Sequence, residues 1–144
     1  MINPKVLLNK AYEAQKKAYS PYSNFQVGAA VQTHDGSIYT GCNVENASYG
    51  AAICAERVAF VKAVSDGHKN FKAIAIVGSH NKHTYPCGIC RQFMAEFGLG
   101  LIVITTDTYT IAQQPLSDFL PKAFTSFESN KESLTKTNSC AQLS

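Results

Sequence analysis

The sequence contains no apolar run approaching the length of a bilayer span, and its opening residues, Met1-Ile2-Asn3-Pro4-Lys5, form no signal-like hydrophobic stretch. A membrane partner is not expected, and the cytoplasm is the expected location. Charge is scarce as well: charged residues make up 16% of the chain, the net charge is +3, and Lys and Arg form no cluster. A polynucleotide ligand calls for a basic groove interleaved with stacking aromatics, so a small substrate is favoured over a nucleic acid polymer. No internal repeat is found. Five cysteines, an odd number, are unsuited to a disulfide framework and agree with a reducing compartment.

What is there is the patterning of one soluble globular domain, 144 residues long and 45% hydrophobic. Residues 4–19 place Val6, Leu7, Ala11, Ala14 and Ala18 at helical spacing ahead of Ser20-Pro21. Phe25 to Gln32 alternates, His34-Asp35-Gly36-Ser37 supplies turn chemistry, and Ile38 to Cys42 extends again, which predicts a β-hairpin. Asn43 to Gly50 is polar and should form a loop at a pocket rim. Ile53 to Val64 is patterned as a helix with Gly67 as its stop, Ala73 to Val77 as a buried strand, and 88–97 as a second helix ended by Gly98. Leu101 to Thr105 and Thr108 to Ala112 suit an antiparallel pair, and Leu116 to Leu120 a brief helix. In the polar loop Ser79 to Tyr85, His80 and His83 are expected to be solvent-exposed. Cys42 is expected as a buried core thiol, and Cys140 as an incidental thiol in the polar stretch 128–144. Alternating strands and helices predict a layered α/β fold whose site lies where strands deliver the chain into helices, at the C-terminal strand edge.

The chemistry concentrates at Cys54-Ala55-Glu56 and Pro86-Cys87-Gly88-Ile89-Cys90. A structural zinc takes four protein ligands, whereas a catalytic zinc takes three and keeps the fourth position for water. Three cysteines with one non-ligating glutamate fit the second arrangement, a hydrolytic site. Cys87 and Cys90 are spaced to share one face of a helix's first turn if Pro86 marks its start. At a helix N-terminus, thiolates meet unpaired backbone N–H groups and the positive end of the dipole, which lowers their pKa. Three thiolates overcompensate a divalent ion, so Arg57 or Arg91, each directly following a ligand segment, should donate to a ligand sulfur.

At Cys54-Ala55-Glu56-Arg57 and Pro86-Cys87-Gly88-Ile89-Cys90-Arg91-Gln92 the sequence closely resembles the small, homotetrameric cytidine deaminases of pyrimidine salvage. Ser20-Pro21-Tyr22-Ser23-Asn24-Phe25-Gln26-Val27-Gly28-Ala29-Ala30, Gly41-Cys42-Asn43-Val44-Glu45-Asn46-Ala47 and Leu120-Pro121-Lys122-Ala123-Phe124 share the likeness, which runs from about Ala11 to Phe124. The resemblance implies one zinc per subunit on Cys54, Cys87 and Cys90, with Glu56 as the proton shuttle. Cys54, where related deaminases have histidine, points to the three-cysteine branch. It also implies that Asn43 and Glu45 hold the ribose hydroxyls, that Phe25 lines the base pocket, and that the Ala55 N–H meets the base carbonyl. Phe124 would reach into a neighbouring subunit's site. The implied fold is a three-layer α/β/α domain over 1–127 with a mixed sheet of about five strands, followed by a polar, flexible tail over 128–144.

The rival readings are a structural zinc module, a dithiol redox protein and a deaminase of a nucleoside antibiotic. The first lacks a fourth ligand at finger-like spacing among His80, His83, Cys42 and Cys140. The second leaves Cys54-Ala55-Glu56 unexplained. Against the third stand the ribose loop and the Phe124 segment.

Overall fold

Asn3 starts the chain's first helix: its side chain accepts a bond from Val6 N at 3.3 Å, with Pro4 just inside the helix. Helix α1 (Pro4–Gln15) then turns Leu7, Leu8, Ala11 and Ala14 inward. It stops four residues short of the patterned stretch because two neighbours claim the chain. Gln15 Nε2 donates to Gln26 O at 3.0 Å, and Tyr19 N donates to Asn43 O at 2.9 Å. The structure, a computed structural model, describes residues 1–125; the stretch 128–144, with Cys140, lies outside the described residues.

Five strands, β1 (Gly28–Thr33), β2 (Ile38–Cys42), β3 (Phe71–Val77), β4 (Ile102–Thr106) and β5 (Ile111–Pro115), form one mixed sheet in the order β2-β1-β3-β4-β5. Only β3 and β4 run parallel, and the helix α3 (Gly88–Ala95) lies on the crossover between them. Helix α2 (Ala55–Ser65) connects β2 to β3. On one face α1 covers Ala30, Ala73, Ala75, Val77 and Ile104. On the other, α2 and α3 cover Ala29, Val31, Ile74, Ile76 and Val103. The architecture is therefore three-layer α/β/α, as expected. No helix among the described residues is long and apolar enough to cross a membrane.

Two departures from period-two alternation shape the sheet. A register shift between Gln32 and Thr33 pairs Thr33 with Phe71, and this irregularity in the ladder turns Phe71 toward the α2 side. There its ring centroid lies 4.5 Å from that of Phe60 and 5.4 Å from that of Phe97. In addition, β1 begins at Gly28 and not at Phe25. The Asn43 amide replaces a partner strand there, accepting from Val27 N and donating to Phe25 O, both at 2.8 Å.

Small sheet residues let α2 sit close. A Cβ on Gly41 would lie 2.4 Å from Ala55 O and 2.6 Å from Ala59 N, so α2 rests directly on the backbone of β2. Gly28 pairs with both Cys42 and Val77. The C-terminal ends of β2 and β3 thus coincide, and both deliver the chain toward helix N-termini at one sheet edge. Cys42 itself is half-buried, not a core thiol, because β2 is an outer strand; it lines a groove with Lys10, Lys17 and Lys62. Lys62 Nζ donates to Thr40 O on the same strand. The last expected helix is a single 3-10 turn, Leu116–Asp118.

Candidate active site

Cys54 is the N-cap residue of α2 and Cys87 that of α3, and neither side chain makes a capping bond. Cys90 follows one turn into α3 and is fully buried. The three sulfurs lie within 4.8 Å of one another, with Cys54 Sγ and Cys87 Sγ 3.7 Å apart. Two zinc–sulfur bonds of about 2.3 Å at a tetrahedral angle separate their sulfurs by about 3.8 Å. Spacing and thiolate chemistry both fit zinc, held by three protein ligands.

Arg57, in the first turn of α2, donates from Nη2 to Cys54 Sγ at 3.6 Å. Hydrogen bonding from Cys90, opposed by burial and reinforced by Arg57 and Cys87, brings the Cys54 thiol down to about 5. The same bond to Cys54, together with burial, pushes Cys90 up. Arg91 takes a different role from Arg57. Its Nε donates to Pro86 O at 2.7 Å and its Nη1 to Phe119 O at 2.9 Å, with the guanidinium 5.4 Å from the Phe119 ring centroid. It thereby ties the segment entering Cys87 to the chain beyond β5.

Glu56 occupies the first turn of α2 and is 4% exposed. Burial pushes its carboxyl up to about 7, with the neighbouring Cys54 adding to the rise. A carboxyl so placed can take and return a proton near neutral pH. Glu56, Cys54 and Cys87 open onto a pocket of about 180 Å³ whose walls include Phe25, Asn43 and Tyr85. Ala55 and Thr84 also line it. As the first residue of α2, Ala55 has an N–H with no partner inside its helix.

The structure brings Phe25, Asn43, Ala55 and Glu56 together with the cysteines, but not Glu45 or Phe124. Glu45 lines another pocket, of about 300 Å³, beside Tyr22, Asn46 and Tyr49. Its carboxylate accepts from the Ser23 hydroxyl and from the N–H groups of Tyr22 and Ser23 at 2.9 and 3.1 Å, and these bonds, the Ser23 hydroxyl first, lower its pKa. Phe124 is 53% exposed, and its carbonyl accepts from Gln92 Nε2 at 2.7 Å. Thr84 and Tyr85 were not foreseen as wall residues, although their place directly ahead of Pro86-Cys87 was the available signal. His83 is half-buried, contrary to expectation, because the β4–β5 hairpin covers it.

The sequence profile for the cytidine and deoxycytidylate deaminase zinc-binding region matches residues 1–106. A cytidine deaminase of Sporosarcina psychrophila is 46% identical over 120 residues, covering 82% of this chain and 88% of its own. That of Halalkalibacterium halodurans is 44% identical over 131 residues, covering 87% and 96%. Among solved structures, a cytidine deaminase from Burkholderia pseudomallei superposes with a TM-score of 0.81 at 46% identity, covering 85% of this chain and all of the other.

Proposed function

The chain belongs to the cytidine and deoxycytidylate deaminase family, and from that premise we propose that it hydrolyses cytidine and deoxycytidine to uridine and deoxyuridine with release of ammonia. The observation that carries the reading is the buried carboxyl of Glu56, poised near neutrality beside three sulfurs at zinc spacing. Cys54, Cys87 and Cys90 would hold one zinc per subunit, which when bound would supply the acidity that makes water nucleophilic near neutral pH. Glu56 would take a proton from the attacking water and deliver it to N3 of the pyrimidine as oxygen adds at C4. It would then carry the C4 hydroxyl's proton to the amine, which leaves as ammonia as the C4 carbonyl forms. One carboxyl serves as base and then as acid. The Arg57 guanidinium withdraws charge from Cys54 and so offsets the excess negative charge of three thiolates. In this reading Phe25 flanks the base and the Ala55 N–H meets the base carbonyl; both residues line the pocket with Glu56.

Asn43 and Glu45 hold the ribose hydroxyls in this reading. The Asn43 amide spends one donor and one acceptor on Phe25 and Val27, which leaves one amide hydrogen and one lone pair for a hydroxyl. Free cytosine would leave the remaining amide hydrogen and lone pair of Asn43 without a hydroxyl partner, so its kcat/KM is expected to fall at least roughly a hundredfold below that of cytidine. Ammonia release from cytidine, deoxycytidine and cytosine measures this. Equal kcat/KM for base and nucleoside would remove the ribose assignment.

The reading extends to one catalytic domain over 1–127, to pyrimidine salvage in the cytoplasm, and to a homotetramer with shared sites. The unpaired thiols of Cys42, Cys54, Cys87 and Cys90 support a reducing compartment. Exposed Ile53, Val61 and Ile89 along an apolar groove between α2 and α3 support self-association, and the exposed ring of Phe124 supports its reach into a neighbour's site. Phe124→Ala is expected to raise KM and leave zinc content alone. Reassembled with inactive Glu56→Gln subunits, Phe124→Ala sites should regain normal KM in part, because a neighbour returns the ring. No recovery in confirmed mixed tetramers would refute sharing.

A further inference from the structure

The connection from β3 to α3 supplies two walls of the pocket, yet among the described residues no backbone-to-backbone hydrogen bond holds 79–86. Side chains hold it instead. At its start Ser79 Oγ accepts from Gln26 N at 2.7 Å, and the His80 ring lies 5.0 Å from that of Phe25. At its end Pro86 O accepts from Arg91. In the middle the loop hangs on His83, whose Nδ1 lies 2.7 Å from Thr105 Oγ1 and whose Nε2 lies 3.0 Å from Thr110 Oγ1. Asp107 is 3.4 Å from the same Nε2.

The roles in this cluster follow from counting protons. Thr110 gives its one hydroxyl proton to Asp107 Oδ1 at 3.0 Å, so toward His83 it can only accept. Nε2 therefore carries a proton and donates to Thr110, while Nδ1 meets the Thr105 hydroxyl. Both ring nitrogens are thus engaged by hydroxyls of the β4–β5 hairpin. Tyr85 stacks on this fixed ring, with centroids 6.1 Å apart and planes at 13°, and meets Phe119 at 5.7 Å on another side. There is little slack at the loop's root: a Cβ on Gly78 would lie 2.4 Å from Thr84 Oγ1 and 2.7 Å from the Phe25 ring. Thr84 and Tyr85, the two residues of the loop 79–86 that line the pocket with Glu56, directly follow His83.

We propose that His83 is a positioning residue for the deamination: anchored on the β4–β5 hairpin, it fixes Thr84 and Tyr85 as a wall of the pocket and so sets how firmly the nucleoside is held over Glu56. This rests on the deaminase reading. Among the described residues His83 meets Thr105, Thr110, Asp107 and Tyr85, and neither Glu56 nor the sulfurs, so its effect falls on KM and not on zinc content.

The test is a kinetic cycle on the zinc-loaded enzyme. His83→Ala is expected to raise KM for cytidine about tenfold, the scale of one lost hydrogen bond, with kcat within about twofold. His83→Asn, which keeps a hydrogen-bonding group near the Nδ1 position for Thr105, should recover part of the loss. Thr110→Val, a change at an exposed site that serves if His83→Ala does not fold, should shift KM in the same direction. Because His83 acts through Tyr85, the double variant His83→Ala/Tyr85→Ala should be no worse than the more impaired single variant. Unchanged KM in folded His83→Ala or Thr110→Val, or fully additive effects with Tyr85→Ala, would overturn the inference and leave the deaminase reading intact. Absence of ammonia release from cytidine by the unsubstituted chain would defeat that reading, and the inference with it.

Discussion

Glu56→Gln is expected to retain zinc and fold while losing turnover of cytidine by roughly a hundredfold to ten-thousandfold, the scale of an acid–base group. Glutamine matches the shape of the carboxyl, and the candidate metal-holding cluster among the described residues is the three cysteines without Glu56, so the three sulfurs and the seat of α2 on β2 should be untouched. What disappears is the ability to accept a proton and return it. The large effect is expected because the carboxyl is nearly inaccessible, at 4% exposure, so bulk water is a poor substitute in relaying the proton. Zinc content by atomic absorption, circular dichroism and ammonia release together check the outcome. Turnover within a few-fold of the unsubstituted enzyme would show that another group moves the proton.

Cys87→Ser should lose metal, activity and stability together. Cys54 and Cys87 cap two different helices 33 positions apart in the chain, so an ion shared between them closes a long loop and joins α2 to α3. A serine hydroxyl is a weak replacement for thiolate, and binding energy released only in the folded state is folding energy. Loss of a bond of this kind is expected to cost about 3–4 kcal/mol, or about 10 °C in Tm for a chain of this size. A strong chelator acting on the unsubstituted protein should lower Tm similarly, while Cys42→Ser should keep its zinc. A zinc-free Cys87→Ser protein that still released ammonia from cytidine would exclude metal-assisted hydrolysis.

The elements were legible wherever one periodicity dominated. Leu7, Ala11 and Ala14 mark α1, the alternation through Ala29 and Val31 marks β1, and the three cysteines with Glu56 announce the metal site at helix starts. What was hidden depended on partners far along the chain. The end of α1 is decided by Gln26 and Asn43, and the start of β1 by the Asn43 amide. His83 reads as a loop histidine until Thr105 and Thr110, more than twenty positions later, close over it. Arg57 and Arg91 follow ligand segments in the same way, and only packing assigns one to a sulfur and the other to backbone carbonyls. Tyr85 is concealed for a similar reason, since its orientation comes from its neighbours His83 and Phe119.

The order of the strands also bears on how copies of this molecule can meet at high concentration. An outer strand exposes unpaired N–H and C=O groups to any passing extended chain, an invitation to fibre growth. At β2 one such carbonyl, that of Thr40, is already engaged by the Lys62 ammonium. At the opposite border β5 ends in Pro115, which has no N–H to offer, after the exposed Gln113 and Gln114. Both borders are thus poor templates for a foreign strand. Encounters between copies are steered toward side-chain surfaces, whose shapes distinguish one protein from another, and away from backbone groups, which are alike in all of them.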